Sequence, residues 1–365
     1  MPAAYATHAS RPVGRALTVS PVNETPSPPL RVLFVTNAWP HPAKPSHGAH
    51  AAREVAALRV AGVRIRVVAI HGHAGRRAYA AAAAQVARCN RRCEHDVVHG
   101  YLGHAGAVAR LYLRAPLVVT YTGSDLLGDH AGPGSATAKS RVEAAAFRQL
   151  ARVAAATITQ SEQMEDVLPA RCRARNHVVP TGVALDRFRP MPRDEARRRL
   201  GWPRDERVVL FAADPSRGVK NYPLAVEAHR ALQASHPDVR LRVAWSDRRD
   251  TMPLDELPLW MNAADALLLT SRSEGSPSVV KEALATELPV VSTPVGDVAQ
   301  LVRGVPGCHV RAPDARALAE ALAEALAQGR SPAASAAVAG LGVAAVARRV
   351  IGVYESALRS GRRRP

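Results

Sequence analysis

Lysine is scarce in this 365-residue chain: Lys44, Lys139, Lys220 and Lys281 are four of its 49 basic residues, and arginine supplies the rest. The skew accompanies an abundance of alanine and reads as compositional bias more than as a built basic patch. The net charge of +18 and a pI near 10.9 still favour anionic partners such as nucleotides, acidic lipid headgroups or nucleic acid. Aromatic residues are only 4% of the chain, too few for the stacking platforms of single-strand binders. No helix-turn-helix, zinc-finger or RNA-motif pattern occurs, so nucleic acid is not the expected partner. The four cysteines, Cys89, Cys93, Cys172 and Cys308, are too sparse for a disulfide framework. Cys89 and Cys93 lack the second close pair of a zinc site, so all four read as structural and the setting as a reducing cytoplasm. No run of about 18 uncharged apolar residues exists, which excludes a membrane-spanning helix.

What is present is enough for real cores: 47% of residues are hydrophobic, and the length suits two domains of roughly 150–180 residues. Residues 1–29, rich in Pro, Ser, Ala and Thr without periodicity, read as a disordered leader with no apolar run of a secretory signal. From Arg31 onward, strands and helices alternate. Strands are expected at 31–36, 64–70, 96–99, 116–121, 156–159 and 176–179, with helices at 48–62, 77–90, 104–113 and 138–154. After a polar, Pro-containing connection (181–206) the rhythm restarts, with strands at 207–212, 239–245, 266–270 and 289–293. Helices follow at 221–234, 255–263, 277–286, 297–303 and 314–327, and a last one at 342–358. This β-α-β rhythm predicts two parallel sheets covered by helices, with ligands beyond the carboxyl ends of the strands and in the cleft between the domains.

Two segments carry chemistry. In SRSEGSPSVVKE (271–282), a loop after a strand opens a helix at Pro277. The helix N-terminus at Pro277-Ser278-Val279, with its free N–H groups and dipole, suits a phosphate, and Gly275 admits close approach of a ligand to the backbone. Glu274 in the loop can accept sugar hydroxyl protons, and Glu282, eight residues on, can reach a ribose. The bland alternative is a carboxylate stabilising the helix start and a second on a solvated face. In DPSRGVKNYPLAVEAH (214–229), Arg217 and Lys220 lie at the head of the next helix and point to the same cleft, a planar fork and a point charge suited to a diphosphate. Here the bland alternative is a solvated loop in an Arg-rich protein.

The spacing of Glu274 and Glu282 within EGSPSVVKEALA resembles the donor-site motif of retaining GT-B glycosyltransferases of family 4, and Arg217 and Lys220 resemble that family's diphosphate-binding pair. VPTGVALDRFRP (179–190), with Thr181 where Asn is usual, WMNAADALLLTSRSEGSP, PVVSTPVGDVAQLV (289–302), the Gly48 loop, DVVHGY (96–101) and VVTYTGSDLLG (118–128) extend the resemblance over about residues 31–358. It implies a GT-B fold: two Rossmann-like α/β/α domains facing across a cleft, with the C-terminal helix crossing back to the N-terminal domain. The division implied is leader 1–29, acceptor domain 30–182, nucleotide-sugar donor domain 183–341, and C-terminal helix with basic tail 342–365. Arg217, Lys220 and Glu274 would be catalytic. Gly48, Gly275, Ser276, Pro277, Ser278, Val279 and Glu282 would bind the donor.

Departures remain. Thr122 stands where the family often has a histidine, so a catalytic role at that position does not carry over. Thr122, His99 and Asp125 are the acceptor-side candidates. Gln300 occupies a position that is often Glu, and a short 246–256 stretch leaves uracil against guanine open. No Asp-x-Asp occurs among the 15 aspartates, so the metal-holding pair of a GT-A enzyme is missing. The expected reaction is therefore metal-free, retaining transfer of a sugar from a nucleotide-diphosphate donor to a glycan or lipid-linked acceptor, without a cofactor, in cell-surface polysaccharide or glycolipid synthesis. Arg76, Arg77, Arg88, Arg91, Arg92, Arg110 and Arg114 would hold such an enzyme at the inner membrane face by anionic lipid, or else form a plain solvated face. A nucleotide-sugar epimerase of the same architecture and a non-catalytic nucleotide-sugar binder are the alternatives. A dinucleotide dehydrogenase is not supported, because no Gly-x-Gly-x-x-Gly follows the first strand.

Overall fold

The computed structural model describes residues 29–41, 47–71, 75–128, 137–245 and 255–361. All but the last residue of the expected leader, most of the 246–256 stretch and the last four residues lie outside that range.

The first sheet contains β1 (Arg31–Thr36), β2 (Arg64–Ala69), β3 (Val97–Tyr101), β4 (Leu117–Thr120), β5 (Ala156–Thr159) and β6 (Asn176–Val178), in the order β2-β1-β3-β4-β5-β6. The second contains β7 (Arg207–Phe211), β8 (Val239–Val243), β9 (Ala266–Leu269), β10 (Val290–Ser292) and β11 (His309–Val310), in the order β11-β10-β9-β7-β8. All pairings are parallel. Central strands such as β1 and β9 are apolar and buried nearly throughout, as a sheet covered by helices on both faces requires. Each sheet reverses its strand order beside its first strand, between β1 and β3 and between β7 and β9. Such reversals open a crevice at the carboxyl ends of the strands, and the two crevices face each other.

The chain crosses between the domains twice, and the crossings lie side by side. The Val183 N–H donates to the Leu341 carbonyl (2.9 Å) and the Val343 N–H to the Val183 carbonyl (3.1 Å). The final helix, Val343–Gly361, packs Val346, Val350, Val353, Tyr354 and Ala357 against Val32, Val97, Val118 and Ile158 of the first domain. The helix therefore returns to the N-terminal domain, as expected.

The 181–206 stretch departs from its reading as an irregular connection. It holds helix Arg193–Leu200, which buries Ala196 and Arg197 in the second domain. Six charged residues in eight hid that helix in the sequence. Arg197 is 0% exposed and is fully engaged: Nε donates to the Ala263 carbonyl, Nη1 to the Pro203 and Arg204 carbonyls, and Nη2 to Asp265 (2.8 Å). Arg197→Met, which leaves Asp265 and three carbonyls short of a donor, is expected to lower stability by about 3–5 kcal/mol in chemical denaturation; a change under about 1 kcal/mol would show that the pair matters little. Helices Glu162–Asp166, Ala170–Arg173 and Pro332–Val338 were also not legible, each being one or two turns without apolar periodicity.

Candidate active site

The cleft between the two crevices has a volume of about 380 Å³. The ends of β1 and β3 contribute Ala38, Tyr101 and Leu102, and the ends of β7 and β9 contribute Ala213, Asp214 and Glu274. Gly48 sits at the N-terminus of helix Ala49–Val60 with φ +74°; a Cβ there would lie 2.2 Å from the Ala38 carbonyl carbon, so only glycine lets the loop pass.

Arg217 and Lys220 both line the cleft, as do Gly275, Ser276, Pro277, Ser278, Val279 and Glu282. Lys220 is held by backbone geometry: residues Gly218–Lys220 form a 3₁₀ turn ending at Asn221, whose φ of +52° reverses the chain into helix Tyr222–Gln233. Arg272 Nη2 donates to Asn221 Oδ1 (2.8 Å) and fixes that reversal to the end of β9. The Lys220 ammonium donates to Glu274 Oε1 (2.5 Å), which also accepts from Ser271 Oγ (2.8 Å). Two of the three expected catalytic side chains are thus paired, both mostly buried at 15% and 17% exposure. No described residue bonds to the Arg217 guanidinium. Helix Ser278–Ala285 starts after Pro277, and the N–H groups of Gly275, Ser276, Ser278 and Val279 have no partner among the described residues. Two cations and a helix start with free donors converge on one wall, a site built for an anion.

Glu282 is 7% exposed and lies on that wall, 3.7 Å from Arg53 of the first domain. Burial raises its pKa, and Arg53 opposes the rise. Arg53 Nη2 donates to His50 Nδ1 (2.7 Å), which lies 3.4 Å from Ser278 Oγ. His50 and Arg53 have no signal in the sequence beyond one helical turn after Gly48. Trp245 and Leu257 complete the second-domain wall of the cleft.

The domains touch around the cleft. The Gly296 N–H donates to Gln163 Oε1 (2.9 Å), and Gln300 Nε2 donates to Glu162 Oε2 (2.6 Å). An ionised glutamate at 300 would have no proton to donate to Glu162, where the Gln300 amide has one. Gly275 meets the first domain so closely that a Cβ would sit 2.4 Å from the Thr122 carbonyl oxygen.

Two expectations need correction. His99 does not reach the cleft: it is 0% exposed, with Nδ1 2.7 Å from the Tyr354 hydroxyl and Nε2 2.7 Å from Thr120 Oγ1. Burial lowers its pKa to about 3, so it is neutral, and hydroxyl partners suit either tautomer. Asp125 is turned back into its own loop, accepting the N–H groups of Thr122 (3.1 Å) and Gly123 (3.0 Å), with burial raising its pKa to about 6. Of the acceptor-side candidates only Thr122 lines the cleft. Ser276 lines the cleft, and its side chain is engaged by its own neighbours. Its hydroxyl donates to Asp297 Oδ2 (2.7 Å) and accepts from the Lys281 ammonium, and the Thr181 N–H lies 3.4 Å from it.

Neutral His99 gives a pH signature. A depressed folded pKa contributes stability above about pH 6.5 that is lost on acidification toward pH 3. About 3 kcal/mol is expected to disappear between pH 7 and 4 in the parent beyond what His99→Gln loses. Equal slopes for the two proteins would show that His99 protonates freely in the fold.

A larger hollow of about 830 Å³ lies at the opposite, amino ends of the first sheet, lined by Arg31, Arg110, Arg114 and Arg175 among others, and takes no part in the cleft. Among the described residues no cluster of His, Cys, Asp or Glu side chains has the makings of a metal site.

The family model described as Glycosyltransferase Family 4 matches residues 30–187, and that described as Glycosyl transferases group 1 matches residues 206–328. The chain is 32% identical over 319 residues to D-inositol 3-phosphate glycosyltransferase 1 of Catenulispora acidiphila, covering 74% of this chain and 75% of the relative. It is 29% identical over 243 residues to the Bacillus subtilis glycosyltransferase TuaC, named for teichuronic acid biosynthesis, covering 62% and 60%. Among solved structures, Anabaena HepE in complex with UDP and glucose superposes with a TM-score of 0.66 at 17% identity, covering 90% of this chain and all of that one. The architecture is that of the GT-B fold.

Proposed function

The chain belongs to the group 1, family 4 glycosyltransferases, and on that footing we propose that it moves a sugar, with retention of anomeric configuration and without a metal, from a nucleotide-diphosphate donor to a glycan or lipid-linked acceptor of the cell surface. The observation that supports this most is the convergence of Arg217, Lys220 and the free N–H groups at 275–279 on one wall beside Glu274 and Glu282. A diphosphate bound there has its charge met by two cations and a helix start, which is the stabilisation a departing nucleotide needs. Lys220 is shared: Glu274 holds it ready, and the incoming phosphate competes for it. Glu274 then has its carboxylate for a sugar hydroxyl, and Glu282, kept 3.7 Å from Arg53, has its carboxylate for the ribose. Retention follows if the departing diphosphate oxygen takes the acceptor proton on the face it leaves. Thr122 and Tyr101 form the facing wall on the acceptor side, and the contacts from Gln163 and Glu162 tie the two domains together.

No helix among the described residues is long and apolar enough to cross a membrane. The exposed arginines Arg76, Arg77, Arg88, Arg91, Arg92, Arg110 and Arg114 support a peripheral site on anionic lipid, which cosedimentation with phosphatidylglycerol vesicles tests. The donor reading is tested by calorimetry of EDTA-treated protein with UDP, GDP, ADP and dTDP. Saturable binding of one of them, weakened by Arg217→Ala, supports it; heat from none overturns it.

A further inference from the structure

Lys281 stands one residue before Glu282 and is 0% exposed. Its ammonium bonds to Ser276 Oγ and lies 3.4 Å from Asp297 Oδ2, which accepts the Ser276 hydroxyl. Burying this pair stabilises the fold little, because an apolar pair of the same volume does as well or better. Asp297 also occupies the cap position of helix Val298–Leu301, where an aspartate ordinarily accepts a first-turn N–H, yet it makes no such bond. It is turned instead toward the donor loop and keeps its second oxygen, Oδ1, buried without a partner. The loop behind it is tightly seated: a Cβ on Gly296 would sit 2.7 Å from the Gly275 carbonyl oxygen.

We propose that Lys281 and Asp297 are positioning residues that clamp the Ser276 hydroxyl and so fix the 274–277 loop, with its free N–H groups, in the geometry that receives the donor diphosphate. The purpose of this clamp rests on the donor reading above. The clamp acts through Ser276: the hydroxyl's proton goes to Asp297 and its oxygen receives Lys281, while the Thr181 N–H at 3.4 Å ties the same atom to the first interdomain crossing. The ion pair is neutral as a unit, so its role is geometric and not a long-range pull on phosphate.

The test separates clamping from plain stability. Lys281→Met leaves Asp297 buried and uncompensated, and is expected to lower the melting temperature. Lys281→Met with Asp297→Asn removes both charges and is expected to recover it. In that double variant, hydrogen exchange of a peptide spanning 271–279 should still be faster by about tenfold. Its kcat/KM for the donor should be lower by about 10- to 100-fold, with the acceptor KM unchanged. Ser276→Ala, which leaves the ion pair intact, should accelerate the same peptide. Parental exchange at 271–279 in both variants would overturn the proposal. The exchange needs no ligand, so loss of the donor reading would leave it standing, and a parent that binds nucleotide but shows no exchange difference would remove the clamp alone.

Discussion

Lys220→Ala is expected to cost about 2–4 kcal/mol of transition-state stabilisation, lowering donor kcat/KM roughly 30- to 1000-fold, by analogy with a lost oxyanion donor. The lysine offers the most concentrated positive charge on the donor wall, and it is placed there by the 3₁₀ turn, the reversed backbone at Asn221 and the Arg272 bond beneath it. Removing it also leaves Glu274 without its cation, an added anion beside the leaving diphosphate. Glu274→Gln separates the two effects. It frees Lys220 from its 2.5 Å partner, so affinity for the bare nucleotide diphosphate should hold or rise while turnover falls. Arg217→Ala should follow Lys220→Ala with a loss of similar order, since its guanidinium is free of described partners. Turnover within about threefold of the parent would remove either residue from the chemistry.

Gly275→Ala is expected to cost about 100-fold in turnover without unfolding either domain. The contacts its Cβ would meet are all across the cleft: the Thr122 carbonyl oxygen at 2.4 Å, its carbon at 2.8 Å and Gln160 Oε1 at 3.0 Å. Backbone atoms cannot swing aside, so the domains must stand farther apart, and the loop that carries the anion-binding N–H groups is displaced from the acceptor wall. Small-angle scattering should show a larger radius of gyration at an unchanged melting temperature. An unaltered radius with parental turnover would mean that the contact between Gly275 and Thr122 is not part of the working enzyme.

The two-domain architecture was legible because strands buried on both faces read as short β-branched runs, and amphipathic helices follow each at regular intervals. RVLFVT (31–36) and the ends of the helix over 315–328 are examples. The gathering of Arg217, Lys220, Glu274 and Glu282 on one wall of the cleft was legible because they are close in sequence in pairs: Arg217 with Lys220, and Glu274 with Glu282. What failed depends on contacts that hydrophobic periodicity does not encode, most of them distant in sequence. His99 looked like a cleft residue at a strand end, and its burial by Tyr354, 255 residues away, could not be read. Asp125 looked like a pocket carboxylate, but it serves the two N–H groups just before it, a local turn that competes with any ligand role. Lys281 had one signal, its rarity in a chain with four lysines, and no pattern that pointed inward rather than to solvent. The meeting of Arg53 with Glu282 lies 229 positions apart and belongs to the closure of the cleft, which no periodicity encodes.

The most direct test of metal-free sugar transfer from a nucleotide donor is nucleotide release by the purified protein against UDP-, GDP-, ADP- and dTDP-sugars with EDTA present, with and without a crude membrane extract as acceptor. Release from one donor, stimulated by the extract, insensitive to EDTA and abolished by Lys220→Ala, is the predicted result. Release that EDTA abolishes, or that Lys220→Ala leaves untouched, would contradict it.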